Sequence, residues 1–480
     1  MPTPAARPRD GAALAPSLDA APLRPFHLRV TATTFGANFS DGYALGMIGA
    51  VLATLTDARH LSGVWQGLLG ASALIGLFFG SIVLGRVGDI IGRQKLYIYN
   101  FVLITVASAL QFWAKDPAVL FTLRVLIGFG LGADYAVGPT MLSEFAPKRL
   151  RGLLLGSLTV MWTVGYVLAG ILGTWLGKTE DTAYVLLATG ALPALLVLLL
   201  RIGTPESPSW LVSQGRVEEA RDIARRYLRS ELGEVAEGAS AGTGQAGPST
   251  RTGQAGPPTG AGRAGPPTRA ERAGPSTTSW AAYRELFAPG QARRTWFGLV
   301  FYSAQVLPYF AIYTFMPTIL LALNVEDADL QNLLLNLFLL AGGVTGLWFL
   351  QRTGRRPLVI VTFGIMTAAL ALMGALTHAS TTALMIPFLV YTFVMAGASN
   401  LTQVYPAELY PTHLRATGVG FLNGTSRIAS AVGTFVLPVS LESIGLSWSM
   451  YWLAGVLLIG TVASVAWAPE TKEEVTTSGG

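Results

Sequence analysis

Long apolar runs, separated by short polar or basic stretches, recur from one end of the chain to the other. A helix needs some 20 mostly apolar residues to cross about 30 Å of hydrocarbon. Twelve runs reach that length, at residues 31–56, 62–84, 97–114, 117–142, 153–176, 182–202, 295–321, 331–350, 358–377, 382–404, 416–440 and 446–467. A closed barrel would need alternating segments of about ten residues instead. The pattern predicts an all-α membrane protein with twelve transmembrane helices.

One long polar interval divides the spans six and six. It predicts an N-terminal six-helix bundle at 26–203, a linker at 204–294 and a C-terminal six-helix bundle at 295–467, flanked by a disordered tail at 1–25 and a second tail at 468–480. Within the linker, residues 208–232 combine helix formers with many charges, the pattern of an amphipathic helix at a membrane surface. Units of AGPST or AGPPT then begin at Ala246, Ala255, Ala264 and Ala273, a nine-residue period covering residues 246–277. Such units lack side chains large enough to build a core, so they predict disorder rather than a solenoid.

Composition narrows the function. The chain is 51% hydrophobic and 12% charged, with a mean hydropathy of +0.49, outside the soluble range. A net charge of +6 could suit nucleic acid, so the placement of the basic residues decides. With a cytoplasmic N-terminus, 28 of the 33 Lys and Arg fall on the cytoplasmic side; Arg59, Lys115 and Lys178 fall outside, and Arg124 and Arg427 within spans. This positive-inside asymmetry predicts an inner or plasma membrane protein with both termini cytoplasmic, embedded in the lipid bilayer and without a nucleic-acid partner. The chain has no cysteine, which excludes disulfides and thiolate chemistry. HExxH, GxSxG and Walker motifs are missing too, so neither an enzyme nor a cofactor or metal is expected. A monomer suffices for this reading.

The halves echo each other. GRVGDIIGRQK at 85–95 corresponds to LWFLQRTGRRP at 347–357, with Gly92 and Arg93 matching Gly354 and Arg355. SEFAPKRLRG after the fourth span matches AELYPTHLRA after the tenth, pairing Glu144 with Glu408 and Arg151 with Arg415. Two parallel halves with a site between them near the midplane is a known transporter construction. Gly85, Asp89, Gly92, Arg93, Glu144, Arg151, Arg355, Glu408 and Arg415 are then candidates for an inner gate. Asp89 could meet cations and helix-end dipoles near the opposite half, contacts that must part when that side opens. The plainer reading is that these charges mark the interface, at roughly 0–1 kcal/mol per exposed pair.

These motifs resemble the major facilitator superfamily, in particular its sugar-porter and metabolite:proton symporter branches, along all twelve spans. GRVGDIIGRQK resembles the signature between spans two and three, and Arg124 followed by GFGLG the span-four motif. PESPSWLVSQGR at 205–216 and PETK at 469–472 resemble the sugar-porter marks after spans six and twelve. The chain departs from the pattern at Ile90, Ser209 and Gln351, where Arg or Lys, Arg, and Asp are usual. The resemblance implies two pseudo-symmetric bundles and favours the gate reading.

Ionisable groups within spans are costly and mark function. The clear cases are Asp41, Arg124, Asp134 and Arg427. Counted from the last cytoplasmic basic residue, Asp41, Gln305 and Arg427 share a depth of roughly 17 to 18 Å, as a midplane site requires. All four histidines fall in loops or at span ends, so proton coupling passes to Asp41 and Asp134, with Arg124 pairing with either when ionised. The alternative is a permanent ion pair that only fixes helix packing. DGYALG at Asp41 resembles metabolite:proton symporters, which usually carry a second Asp where Ala44 stands, and ADYAVG at Asp134 resembles phosphate:proton symporters. That resemblance implies proton transfer at both acids. Gln305 and Tyr309 match the spacing of an Asp and a Tyr in phosphate carriers, and the change to Gln disfavours phosphate. Arg427, in GTSRIASAVG, resembles the span-eleven Arg of organic-anion carriers, where a guanidinium holds a carboxylate bidentately. Tyr135, Trp162 and Tyr309 are candidate cavity walls. The expectation is proton-coupled symport of a small polar, anionic metabolite. Sugar or phosphate symport, efflux antiport and a non-transporting receptor on the same fold stay open.

Overall fold

The computed structural model describes residues 25–145, 148–207, 210–211, 214–223, 225–226, 280–322, 328–377 and 379–471. Hydrocarbon offers no partner for backbone N–H and C=O groups, so each crossing segment must satisfy its own, as a helix does. The first half runs α1 (Pro25–Arg59), α2 (Gly63–Ile91), α3 (Arg93–Leu110), α4 (Pro117–Phe145) and α5 (Lys148–Leu176). Its sixth span is α6 (Glu180–Thr189) continued by α7 (Ala191–Arg201). Between the halves lie α8 (Val217–Ile223) and α9 (Trp280–Leu286). The second half begins with α10 (Ala292–Thr314) and α11 (Met316–Ala322), which form one span interrupted at Phe315. Then come α12 (Ala328–Arg352), α13 (Arg355–Ala375), and α14 (Thr381–Ser399) with α15 (Leu401–Leu409), a span interrupted at Asn400. The chain closes with α16 (Thr412–Ser443) and α17 (Gly445–Trp467).

Every run expected to span falls on one of these helices. Eleven are long and apolar enough to cross a membrane by themselves. The remaining one, α16, has 32 residues but carries Asn423, Ser426, Arg427, Ser430 and Thr434 through its middle. Among the described residues there is no strand.

Lipid tails give helices no hydrophobic reason to associate, so tight crossings depend on small residues. Gly76 and Gly80 of α2 lie against the carbonyls of Val125 and Phe129 in α4, while Gly128 of α4 lies against that of Ala73. A Cβ at any of the three would overlap backbone atoms. The second half repeats the device between α12 and α14, where Gly342 meets the Phe393 carbonyl. The halves meet through α2 with α16, α5 with α12, and α1 with α10. At the end remote from the chain termini, Gly49 presses on the Thr314 carbonyl and Gly67 on that of Phe435. Lys178 and Asp329 form a 2.6 Å ion pair there, and Asn332 Nδ2 donates to Thr174 Oγ1.

The linker differs from expectation at its C-terminal end. Residues 280–294 belong to the second bundle: Leu286 is fully buried, its carbonyl accepts from Thr295 Oγ1 at 2.7 Å, and Tyr283 and Phe287 pack their rings on Phe421 of α16. The reason is apolar patterning in a segment too short to register as a span. Within the helix expected at 208–232, α8 is helical, and Trp210, Leu211, Ala220 and Ile223 form a small apolar cluster there. Residues 208–209, 212–213, 224 and 227–232 of that segment, the repeats at 246–277, and residues 1–24 and 472–480 of the tails lie outside the described residues.

Candidate substrate and proton site

A cavity of about 110 Å³ lies between the halves. A cavity of about 150 Å³ can admit a benzene ring, so this one suits a small solute. Five helices and a helix break build its walls. Asn38 and Asp41 come from α1, Asp134 and Tyr135 from α4, Thr159 and Trp162 from α5, and Tyr302, Gln305, Tyr309 and Phe310 from α10. Ser399 and Thr402 flank the α14–α15 interruption, and Asn423 and Arg427 come from α16. The shared depth of Asp41, Gln305 and Arg427 thus becomes a shared cavity, which Asp134, Tyr135, Trp162 and Tyr309 join.

The charges are deeply buried: Asp41 and Asp134 are each 1% exposed and Arg427 5%. Asp41 and Asp134 interact electrostatically with each other, and Asp41 with Arg427. Oδ1 of each acid, and Nε of Arg427, has no hydrogen-bond partner among the described residues. The Arg427 guanidinium lies 4.7 Å from the Tyr135 ring centroid and 5.9 Å from that of Phe310, two cation–π contacts. Trp162 packs 6.1 Å from both Tyr309 and Phe310, giving the cavity an aromatic wall. Gln305 donates Nε2 to the Met395 carbonyl at 3.4 Å and to its sulfur at 3.1 Å, which leaves Oε1 unpaired among the described residues. Two carboxyl groups and one guanidinium thus line a single buried cavity.

Arg124 is not part of this site. It is 1% exposed, and its Nε donates to Ser72 Oγ at 3.2 Å and its Nη2 to the Ala44 carbonyl at 3.4 Å. Ten residues separate it from Asp134 on one helix, about 15 Å along the axis, so the expected pairing with either carboxylate does not form. The cation that reaches Asp134 is Arg201, at the end of α7. Its guanidinium carbon stacks 3.3 Å from the Tyr97 ring centroid, and the residue is 3% exposed. Sequence reasoning counted Arg201 among the cytoplasmic basic residues. A cation in the last turn of a span satisfies the positive-inside pattern whether it points to water or folds inward.

Among the gate candidates, Arg355 and Glu408 form a two-pronged ion pair, with Nη2 to Oε1 at 3.0 Å and Nε to Oε2 at 3.1 Å. Both belong to the second half, so the pair ties α13 to α15 and does not bridge the halves. Gly92 forms the turn between α2 and α3 at φ +106°, beside Glu206, whose carboxylate accepts the Gln94 backbone N–H at 3.0 Å. Its counterpart Glu470, near Gly354, accepts the N–H groups of Arg355 and Arg356 at 2.8 and 3.1 Å. The PESPSW and PETK motifs therefore each place a carboxylate at the positive end of a helix dipole. Arg93 opens α3 at the same turn. The side chains of Asp89, Glu144, Arg151 and Arg415, and the surroundings of Gly85, lie outside the described residues.

Comparison with known proteins agrees with this architecture. The sugar (and other) transporter family matches residues 30–477. The inner membrane metabolite transport protein YgcS of Escherichia coli (strain K12) is 42% identical over 458 residues, 95% of this chain and 94% of that protein. The major myo-inositol transporter IolT of Bacillus subtilis (strain 168) is 25% identical over 459 residues, 92% of this chain and 91% of its own length. A solved structure of the E. coli xylose transporter XylE, in a partially occluded inward open conformation, shares the fold with a TM-score of 0.73, 18% identity and coverage of 94% and 100%. Twelve spans in two echoing halves, a polar cavity between them and a family match over nearly the whole chain make this a multi-pass membrane transporter of the sugar (and other) transporter family.

Proposed function

We propose that the chain is a secondary active transporter that carries a small anionic metabolite, a carboxylate, together with a proton by alternating access. The supporting observation is the placement of Asp41, Asp134 and Arg427 around one buried cavity between the halves. A substrate carboxylate would take the planar guanidinium of Arg427 bidentately while its apolar part rests on Trp162, Tyr309 and Phe310. That anion would draw on the charge that otherwise compensates Asp41, leaving excess negative charge in a medium that penalises it. A proton on the acid pair removes the excess, so substrate and proton each favour the binding of the other. Once neutral, the loaded cavity can be exposed to the opposite side.

In proteoliposomes, substrate uptake should follow an imposed proton gradient and collapse with a protonophore; uptake indifferent to both would overturn the reading. A neutral polyol is the second reading, favoured by the amides and hydroxyls of Asn38, Gln305, Asn423, Thr159, Ser399 and Thr402 and by the name of the IolT relative. Thermal-shift screening of carboxylates against polyols separates the two, because a ligand of the native state raises apparent stability.

A further inference from the structure

We infer that Arg201, acting through Tyr97, governs release of the coupling proton from Asp134 toward the end of the bundle that carries the chain termini. This rests on the proton-coupled reading and assigns that step a residue outside the substrate cavity. Arg201 closes α7 and Tyr97 stands in the first turns of α3, so both lie on the terminus-bearing side of the acid pair. The guanidinium stacks face-on over the Tyr97 ring at 3.3 Å, and Tyr97 is 1% exposed. The Tyr97 hydroxyl and the Asp134 carboxyl converge on Gly138: a Cβ there would lie 2.6 Å from the hydroxyl and 3.1 Å from Oδ1. Only a residue without a side chain leaves room for the two groups to approach.

The groups around Asp134 come from several helices. Asp41 faces it from α1, Tyr97 from α3 and Arg201 from α7, while Tyr135 beside it and Arg427 from α16 act on the same pair of acids. From α2, Gly76 and Gly80 pack on the backbone of α4, and Ser72 accepts from Arg124, ten residues before Asp134. Arg201 is thus the cation on the terminus-bearing side and Arg427 the one in the cavity. Neither Arg201 nor Tyr97 lines the cavity, so neither touches substrate. A fixed positive charge stabilises the ionised carboxylate and eases departure of its proton. Tyr97 packs on that charge and presents its hydroxyl beside Asp134 at Gly138. Arg201 is a positioning residue, and its loss should spare substrate binding while hindering the step in which the proton leaves.

The test uses the full chain in proteoliposomes, with the pH on the terminus-bearing side varied and a carboxylate identified by thermal-shift screening as substrate. Arg201→Gln should keep substrate counterflow within about twofold, because exchange needs no net proton release. Its gradient-driven uptake should require a pH higher by about one unit on that side, the scale of a removed neighbouring charge. Arg201→Lys should restore the profile. Tyr97→Phe, which keeps the stacked ring and removes only the hydroxyl, should shift the profile the same way by less, and it serves where Arg201→Gln does not fold. An unshifted profile in a folded Arg201→Gln or Tyr97→Phe variant, with wild-type uptake still gradient-driven, overturns the role of Arg201 alone. Wild-type uptake independent of the gradient overturns the underlying proton-coupled reading instead.

Discussion

Lys178, just past the end of α5, and Asp329, at the start of α12, hold a 2.6 Å ion pair across the two halves at the end remote from the chain termini. With the Asn332–Thr174 hydrogen bond beneath it, the pair fastens a seam whose main closure is glycine packed on backbone at Gly49 and Gly67. Both side chains are more than half exposed, so the pair is worth about 0–1 kcal/mol. Asp329→Ala should therefore open that end by up to about fivefold. The chain has no cysteine, so a single Cys replacing Asn336 reports the change through its rate of labelling by a membrane-impermeant maleimide. An unchanged rate would assign the closure to the glycine contacts alone.

Glu206 and Glu470 sit at equivalent helix starts in the two halves, each accepting backbone N–H groups. Glu206→Gln or Glu470→Gln keeps the shape and removes the charge that complements the helix dipole. Each should cost about 0.3–2 kcal/mol, the double variant nearly the sum because the sites lie in separate bundles. Thermal unfolding in detergent checks this, and a variant as stable as wild type would show that the carboxylate charge contributes nothing there.

Much of this architecture is legible in the sequence. Runs of apolar residues long enough to cross a bilayer locate the spans, because lipid imposes one requirement on every residue that faces it. Counting residues from the membrane edge also suffices to bring Asp41, Gln305 and Arg427 to one level, since a helix rises uniformly. Contacts that depend on rotation about the helix axis are hidden. Arg124 and Asp134 share a helix, yet depth keeps them apart, and the cation near Asp134 arrives from α7. Glu408 has Arg355 as its partner, on the neighbouring span, 53 residues away in the sequence. The break at Asn400 is equally silent in an apolar run. The helix Trp280–Leu286 was hidden because it lies at the edge of a linker whose composition is dominated by repeats.

The crossing of α2 and α4 should tolerate no side chain at Gly76 or Gly128, where a Cβ would overlap the carbonyls of Val125 and Ala73. Overpacking costs typically about 1–3 kcal/mol, and more when the obstacle is backbone. Gly76→Val and Gly128→Val should yield markedly less monodisperse protein by size-exclusion chromatography after extraction. Normal yield and stability would mean that the helices are not in contact there.

In the proposed reading Arg427 binds a carboxylate by shape as well as charge, through its planar fork beside Tyr135 and Phe310. Arg427→Ala should abolish the thermal shift produced by a carboxylate substrate. Arg427→Lys, which keeps the charge and loses the planar fork, should recover only part of it. A full shift in Arg427→Ala would move the anion site elsewhere.

The acid pair is the centre of the account. Asp41→Asn keeps the size of the side chain and removes its ability to ionise, so comparing two assays on this one variant isolates the proton. Substrate counterflow, which needs only binding and alternation, should persist, whereas accumulation driven by a proton gradient should be lost. Continued gradient-driven accumulation by Asp41→Asn would contradict the assignment of proton coupling to Asp41.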